Sequence, residues 1–103
     1  MKSVHVRPWY KPRLPRESEL KEMLLRERLD SKIVVMEPDE GEEVHEHLHD
    51  EIDIVLRGNI EFCAEGRCRV LKPGDRIDIR KATPHTTKAL GDEPVVLISA
   101  VKK

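Results

Sequence analysis

The sequence predicts an all-β barrel or sandwich led by one helix. Three observations predict it. From residue 32 onward, β-branched and apolar residues come in short runs separated by Gly, Pro and Asp turns. That is the pattern of antiparallel strands, not of a parallel sheet with crossover helices. Ahead of residue 32, helical spacing of apolar residues occurs only in one stretch. And 103 residues fit one domain, with a thin stability margin that oligomerisation, a metal or a covalent staple would help.

The first fifteen residues contain Arg7-Pro8-Trp9-Tyr10-Lys11-Pro12-Arg13-Leu14-Pro15. Proline lacks the amide proton and restricts its predecessor, so this stretch is an extended arm and not a helix. A short edge strand is expected at residues 3–7. Such an arm packs along its own domain or along a partner subunit. It holds the only Trp and the only Tyr, too few rings for a single-strand stacking groove.

Residues 16–30 read as a helix. Leu20, Met23, Leu24 and Leu29 recur at helical spacing. Glu17–Lys21 and Glu22–Arg26 are i,i+4 pairs in the favourable order, and Ser18 or the preceding turn is the expected start cap.

The expected strands are residues 32–37, 43–47, 51–56, 60–64, 67–71, 76–80, 86–90 and 95–101. Turns are marked by Pro38-Asp39-Glu40-Gly41, Gly58, Glu65-Gly66 and Pro73-Gly74-Asp75. The resulting division is an N-terminal arm and helix, 1–31, and a barrel, 32–103.

Charge excludes some partners. Charged residues make up 38% of the chain, yet the net charge is −1. A nucleic-acid binder or an anionic-membrane binder would show a basic excess. No apolar run is long enough to span a bilayer, and residues 1–10 lack the apolar centre of a signal peptide. The expectation is a soluble, cytoplasmic protein. Gln is absent and Asn59 is the only Asn, amid abundant Glu, Lys and Arg. That composition points to a thermophile host.

Cys63 and Cys68 flank the expected hairpin turn. With a two-residue loop they face each other at a non-hydrogen-bonded pair, close enough for a bridge. Three readings stay open: a disulfide, free thiols, or two half-buried strand residues. A two-cysteine zinc site lacks further cysteines to complete it.

The chemistry concentrates in Gly41-Glu42-Glu43-Val44-His45-Glu46-His47-Leu48-His49-Asp50-Glu51. Residues two apart on a strand share a face, so His45 and His47 project into one space. Glu51 reaches the same space if the strand continues or turns tightly. Two imidazoles and a carboxylate suit a first-row metal with positions left open.

Here the sequence resembles the cupin family. Its first motif, G-x5-H-x-H-x3,4-E-x6-G, is matched from His45 through His47 and Glu51 to Gly58, while Gly41 lies closer to His45 than usual. Its second, G-x5-P-x-G-x2-H-x3-N, keeps its spacing from Gly74 to His85. Arg80, Ala82 and Ala89 replace the usual Pro, Gly and Asn. The resemblance covers about residues 32–101. It implies a double-stranded β-helix, the cupin or jelly-roll barrel, and a homodimer. It also implies a fourth ligand, His85, completing the set His45, His47, Glu51 and His85 around one divalent transition metal: Fe, Mn, Ni, Zn or Cu.

The remaining polar residues carry weaker expectations. His49 is a turn residue near the pocket mouth, and His5 an ordinary surface or packing histidine. Asp53 shares the parity of Glu51 and can point into the barrel, and Thr87 can sit beside His85. Arg57, Arg76, Asp78 and Arg80 read as a solvated strand face. The family includes dioxygenases, isomerases, decarboxylases and non-enzymatic binders, and fold does not select among them. The first expectation is a metal-dependent dioxygenase acting on a small organic molecule. The alternative is a binding or sensing module for a metal or small ligand, without turnover.

Overall fold

Short strands joined by turns make up most of the computed structural model, which describes residues 3–38, 40–41 and 46–102. The elements run β1 (Val4–Arg7), α1 (Glu17–Arg26), β2 (Ser31–Met36), β3 (Asp50–Arg57), β4 (Asn59–Ala64), β5 (Arg67–Leu71), β6 (Arg76–Ile79), β7 (His85–Leu90) and β8 (Val95–Lys102). They form a five-stranded sheet, β1-β6-β3-β8-β2, and a three-stranded sheet, β5-β4-β7. Every pairing is antiparallel.

Both faces of the larger sheet are covered, which explains why β3 is buried at five successive positions. Inward residues Val55, Ile77, Ile79, Val95 and Leu97 meet Ile60, Phe62, Leu71 and Ala89 of the smaller sheet. Outward residues Ile52, Ile54, Leu56, Ile98 and Ala100 meet Leu20 and Leu24 of α1 and Leu29 beyond it. Each such side chain, fully buried, is worth about 1.5–3 kcal/mol.

The helix is shorter than its apolar pattern suggests. Arg28 takes a left-handed φ of 61°, and Leu29 N–H donates back to Leu24 O at 2.9 Å. This closes the last turn and still buries Leu29. At the start, the Arg16 N–H is capped by the Glu19 carboxylate at 3.1 Å; Ser18 does not serve as the cap. Glu19 also binds Arg13 (2.8 Å) and Lys11 (3.0 Å), which hold its carboxyl well below the usual carboxylate range. The arm is thereby tied to its own domain. Trp9 packs on Gly74, whose φ of +92° and lack of a Cβ are both required: a Cβ there would lie 2.2 Å from the indole.

The hairpin register is as read, with Ala64 opposite Arg67 and Cys63 opposite Cys68. The two cysteines are bonded, with Cα atoms 4.0 Å apart. Two expectations change. Most of the expected strand 43–47 lies outside the described residues; Glu46 and His47 are not in a strand, and Gly41 makes a single bridge to Lys88. Arg76 is not solvated but 3% exposed. The C-terminal end of α1 covers it, where Glu27 takes both terminal guanidinium nitrogens and Asp78 the Nε at 2.8 Å. The Arg76 bonds hold the Glu27 carboxyl below its ordinary range. No helix among the described residues is long and apolar enough to cross a membrane.

Candidate metal centre

Inward-facing side chains at one end of the barrel are polar. Glu51 and Asp53 come from β3, His85 and Thr87 from β7, and Ser99 from β8. Register sets this: Asp53 lies opposite Ser99, and Glu51 opposite Val101. Together with His47 they line one cavity of about 310 Å³, walled on its other side by Val34, Met36 and Leu97.

His47 sits just before β3, and its carbonyl accepts the Ala82 N–H at 2.8 Å. That bond joins the two loops that precede β3 and β7. It needs Ala82 in the left-handed region, φ 59°. A glycine is the family's usual residue there, and this geometry is the reason glycine suits the position.

The donor atoms are poised in specific ways. His47 Nε2 is 3.0 Å from Glu51 Oε1. Two donors bound at right angles, each ~2.1 Å from one ion, stand about 3.0 Å apart. His85 Nδ1 is 2.8 Å from the Thr83 carbonyl. A carbonyl only accepts, so Nδ1 bears a proton; in the neutral ring Nε2 then carries the lone pair, the tautomer a metal ligand requires. Phe62 stacks on the His85 ring at 5.3 Å and fixes its plane. The His47 and His85 ring centroids are 5.4 Å apart. Among the described residues, no three His, Cys, Asp or Glu side chains stand close enough together to hold a metal ion. The donor chemistry fits a divalent ion. His45 lies outside the described residues.

Asp53 is buried behind Glu51. Its burial, and then the neighbouring Glu51 charge, raise its carboxyl well above the ordinary range. A side-chain hydrogen bond shared with Glu51 adds to the rise, and one with Ser99 opposes it. Parity in the sequence placed Asp53 inside the barrel; its role behind Glu51 follows from Ser99 across the strand pair. Thr87 is buried on the cavity wall, whereas His49 and His5 are exposed and do not line it. Arg57 and Arg80 are exposed, in keeping with the expected outer face.

The cupin domain model matches residues 32–101. The chain belongs to the cupin family. No curated protein matches it. Among solved structures, KdgF from Halomonas sp. is 29% identical with a TM-score of 0.64, over 73% of this chain and 69% of that one. The DMSP lyase DddQ from Ruegeria pomeroyi is 30% identical with a TM-score of 0.65. This chain spans only 38% of that lyase's length. A cupin 2 domain-containing protein from Halorhodospira halophila is 19% identical with a TM-score of 0.75 over 99% of this chain and 79% of its own. At that identity it shows the fold alone, arm and helix included.

Proposed function

We propose that this cupin holds one divalent transition metal, Fe, Mn, Ni, Zn or Cu, with His45, His47, Glu51 and His85, and acts with it on a small organic molecule. The observation that supports the reading is the convergence of His47, Glu51 and His85 on one cavity, with His47 Nε2 and Glu51 Oε1 at 3.0 Å. Bound there, a metal would supply Lewis acidity or a site for O₂ beside the substrate. The chain's own residues do the rest. Thr83 sets the His85 tautomer, Asp53 orients Glu51, Phe62 holds the His85 ring, and Val34, Met36 and Leu97 exclude water from one side.

A dioxygenase is the first reading of the chemistry. A non-oxidative, Lewis-acid reaction gains support from the similarity to a DMSP lyase. Binding or sensing without turnover is the remaining alternative. Loading the purified chain with Fe(II) and recording O₂ uptake across a panel of small organic acids separates them. Substrate-dependent uptake supports the dioxygenase. Product formation without uptake supports the lyase type, and tight binding without product supports the sensor. A chain that takes up none of these metals refutes the reading.

We further propose a cytoplasmic homodimer. Its support is the edge strand β2, where Ile33 and Val35 are exposed, as is Leu25 of α1. A monomer by sedimentation at micromolar concentration would contradict it.

A further inference from the structure

On its β2 side the cavity that holds the candidate ligands is lined by Lys32, Val34, Val35 and Met36. A wider trough of about 700 Å³ runs along the surface between residues 27–31 and the end of β8. Trough and cavity share three lining residues: Lys32, Ser99 and Val101. Lys32 therefore stands at the threshold between them. Its register partner is Ser99, which in turn lies opposite Asp53, so its side chain leaves the sheet on the candidate metal's side.

Lys32 contributes the one Lys or Arg side chain among the described residues that line this cavity. The cavity's carboxylates have other partners. Glu51 binds His47 at 3.0 Å, Asp53 shares hydrogen bonds with Glu51 and Ser99, and Glu40 accepts the Glu37 N–H at 2.8 Å. No ion pair is made by Lys32 among the described residues. An ammonium without a carboxylate partner, at the entrance to a small half-apolar cavity, suits an anionic ligand. The volume is at the bottom of the range for small-molecule sites, about 300–1,000 Å³, so the ligand is small.

We propose that Lys32 is a specificity-determining residue, binding the carboxylate of a small organic acid whose apolar part lies along Val34, Met36 and Leu97. This deepens the metal-dependent reading above and rests on it for what happens at the ligand's far end.

The test uses the full chain loaded with Ni(II), and two probes of one shape: butyrate and its neutral amide, butyramide. Calorimetry should show butyrate binding about tenfold tighter than butyramide. Lys32→Met should abolish that preference by weakening butyrate alone, and Lys32→Arg should keep most of it. Elemental analysis of the same samples should show nickel unchanged by either substitution. Equal binding of the two probes, no butyrate binding, or a Lys32→Met chain that binds butyrate as well as the parent would overturn the proposal. If the parent holds no nickel, the metal reading fails on that count alone. The butyrate preference and its dependence on Lys32 are then decided on the metal-free chain.

Discussion

Along β3, β7 and β8 the inward side chains change character halfway. Towards one end of the barrel, Val55, Ala89, Val95 and Leu97 pack against Ile60, Phe62 and Leu71, all buried. Two residues further on along the same strands stand Asp53, Thr87 and Ser99, and beyond them Glu51 and His85. The same strand pairs run through both halves, with one register shift between Val55 and Arg57 in the apolar one. What differs is the consequence of burial. The apolar half gains free energy from it, and the polar half loses free energy unless each group finds a partner. Partners are found: Thr83 for His85, Glu51 for Asp53, His47 for Glu51. One half stabilises a barrel in which the other can hold polar groups together at its end.

Phe62 belongs to both halves, so its removal is the severest test. Phe62→Ala should cost about 3–5 kcal/mol in urea unfolding. It should also weaken metal binding, because His85 loses its stacking partner. A stable variant with unchanged metal affinity would show that the two halves are independent.

The hairpin disulfide lies outside both. Its loop is short, so reducing Cys63–Cys68 should cost about 2 kcal/mol and leave metal content unchanged. Loss of metal on reduction would show that the polar half depends on the hairpin.

Ala82 strains the backbone that holds the His47 loop. Ala82→Gly should raise stability by about 1 kcal/mol, read as a higher melting temperature. No gain would mean that the left-handed turn costs nothing here.

Asp53 gives the smallest expected effect, with a sign that can be worked out. The folded, metal-free chain holds the Asp53 proton more tightly than the unfolded chain does. Its contribution is therefore fully present below the ordinary carboxylate value and is lost as pH rises towards and through the raised one. Asp53→Asn keeps the shape without the ionisation. The variant should gain on the parent in melting temperature from about pH 4 to about pH 7. An unchanged difference across that window would mean that folding does not raise the proton affinity of Asp53.

Much of the fold was legible because strand runs and turns are local signals. The runs at 32–37, 60–64, 67–71, 76–80 and 95–101 agree with the strands to within a residue at most ends. Parity was legible too, since it placed Asp53 and Thr87 on the cavity side. Arg76 was not, because Arg76-Ile77-Asp78-Ile79 alternates like a solvated strand. Only the packing of α1, which brings Glu27 onto that face, reveals the burial. The Glu19 hub escaped for a similar reason, since its partners Lys11 and Arg13 come from an arm with no periodicity. At the site, the His-x-His spacing pointed to the ligands. Thr83 as the group that fixes His85 depends on the local bend of the chain before β7, and Lys32 at the threshold on pairings between strands far apart in sequence.

The most direct measurement is the metal content of the purified, untagged chain beside a His47→Ala/His85→Ala variant, by elemental analysis. The account predicts one transition-metal ion per chain in the parent and none in the variant. A parent that stays metal-free after reconstitution, or a variant that retains the ion, would contradict it.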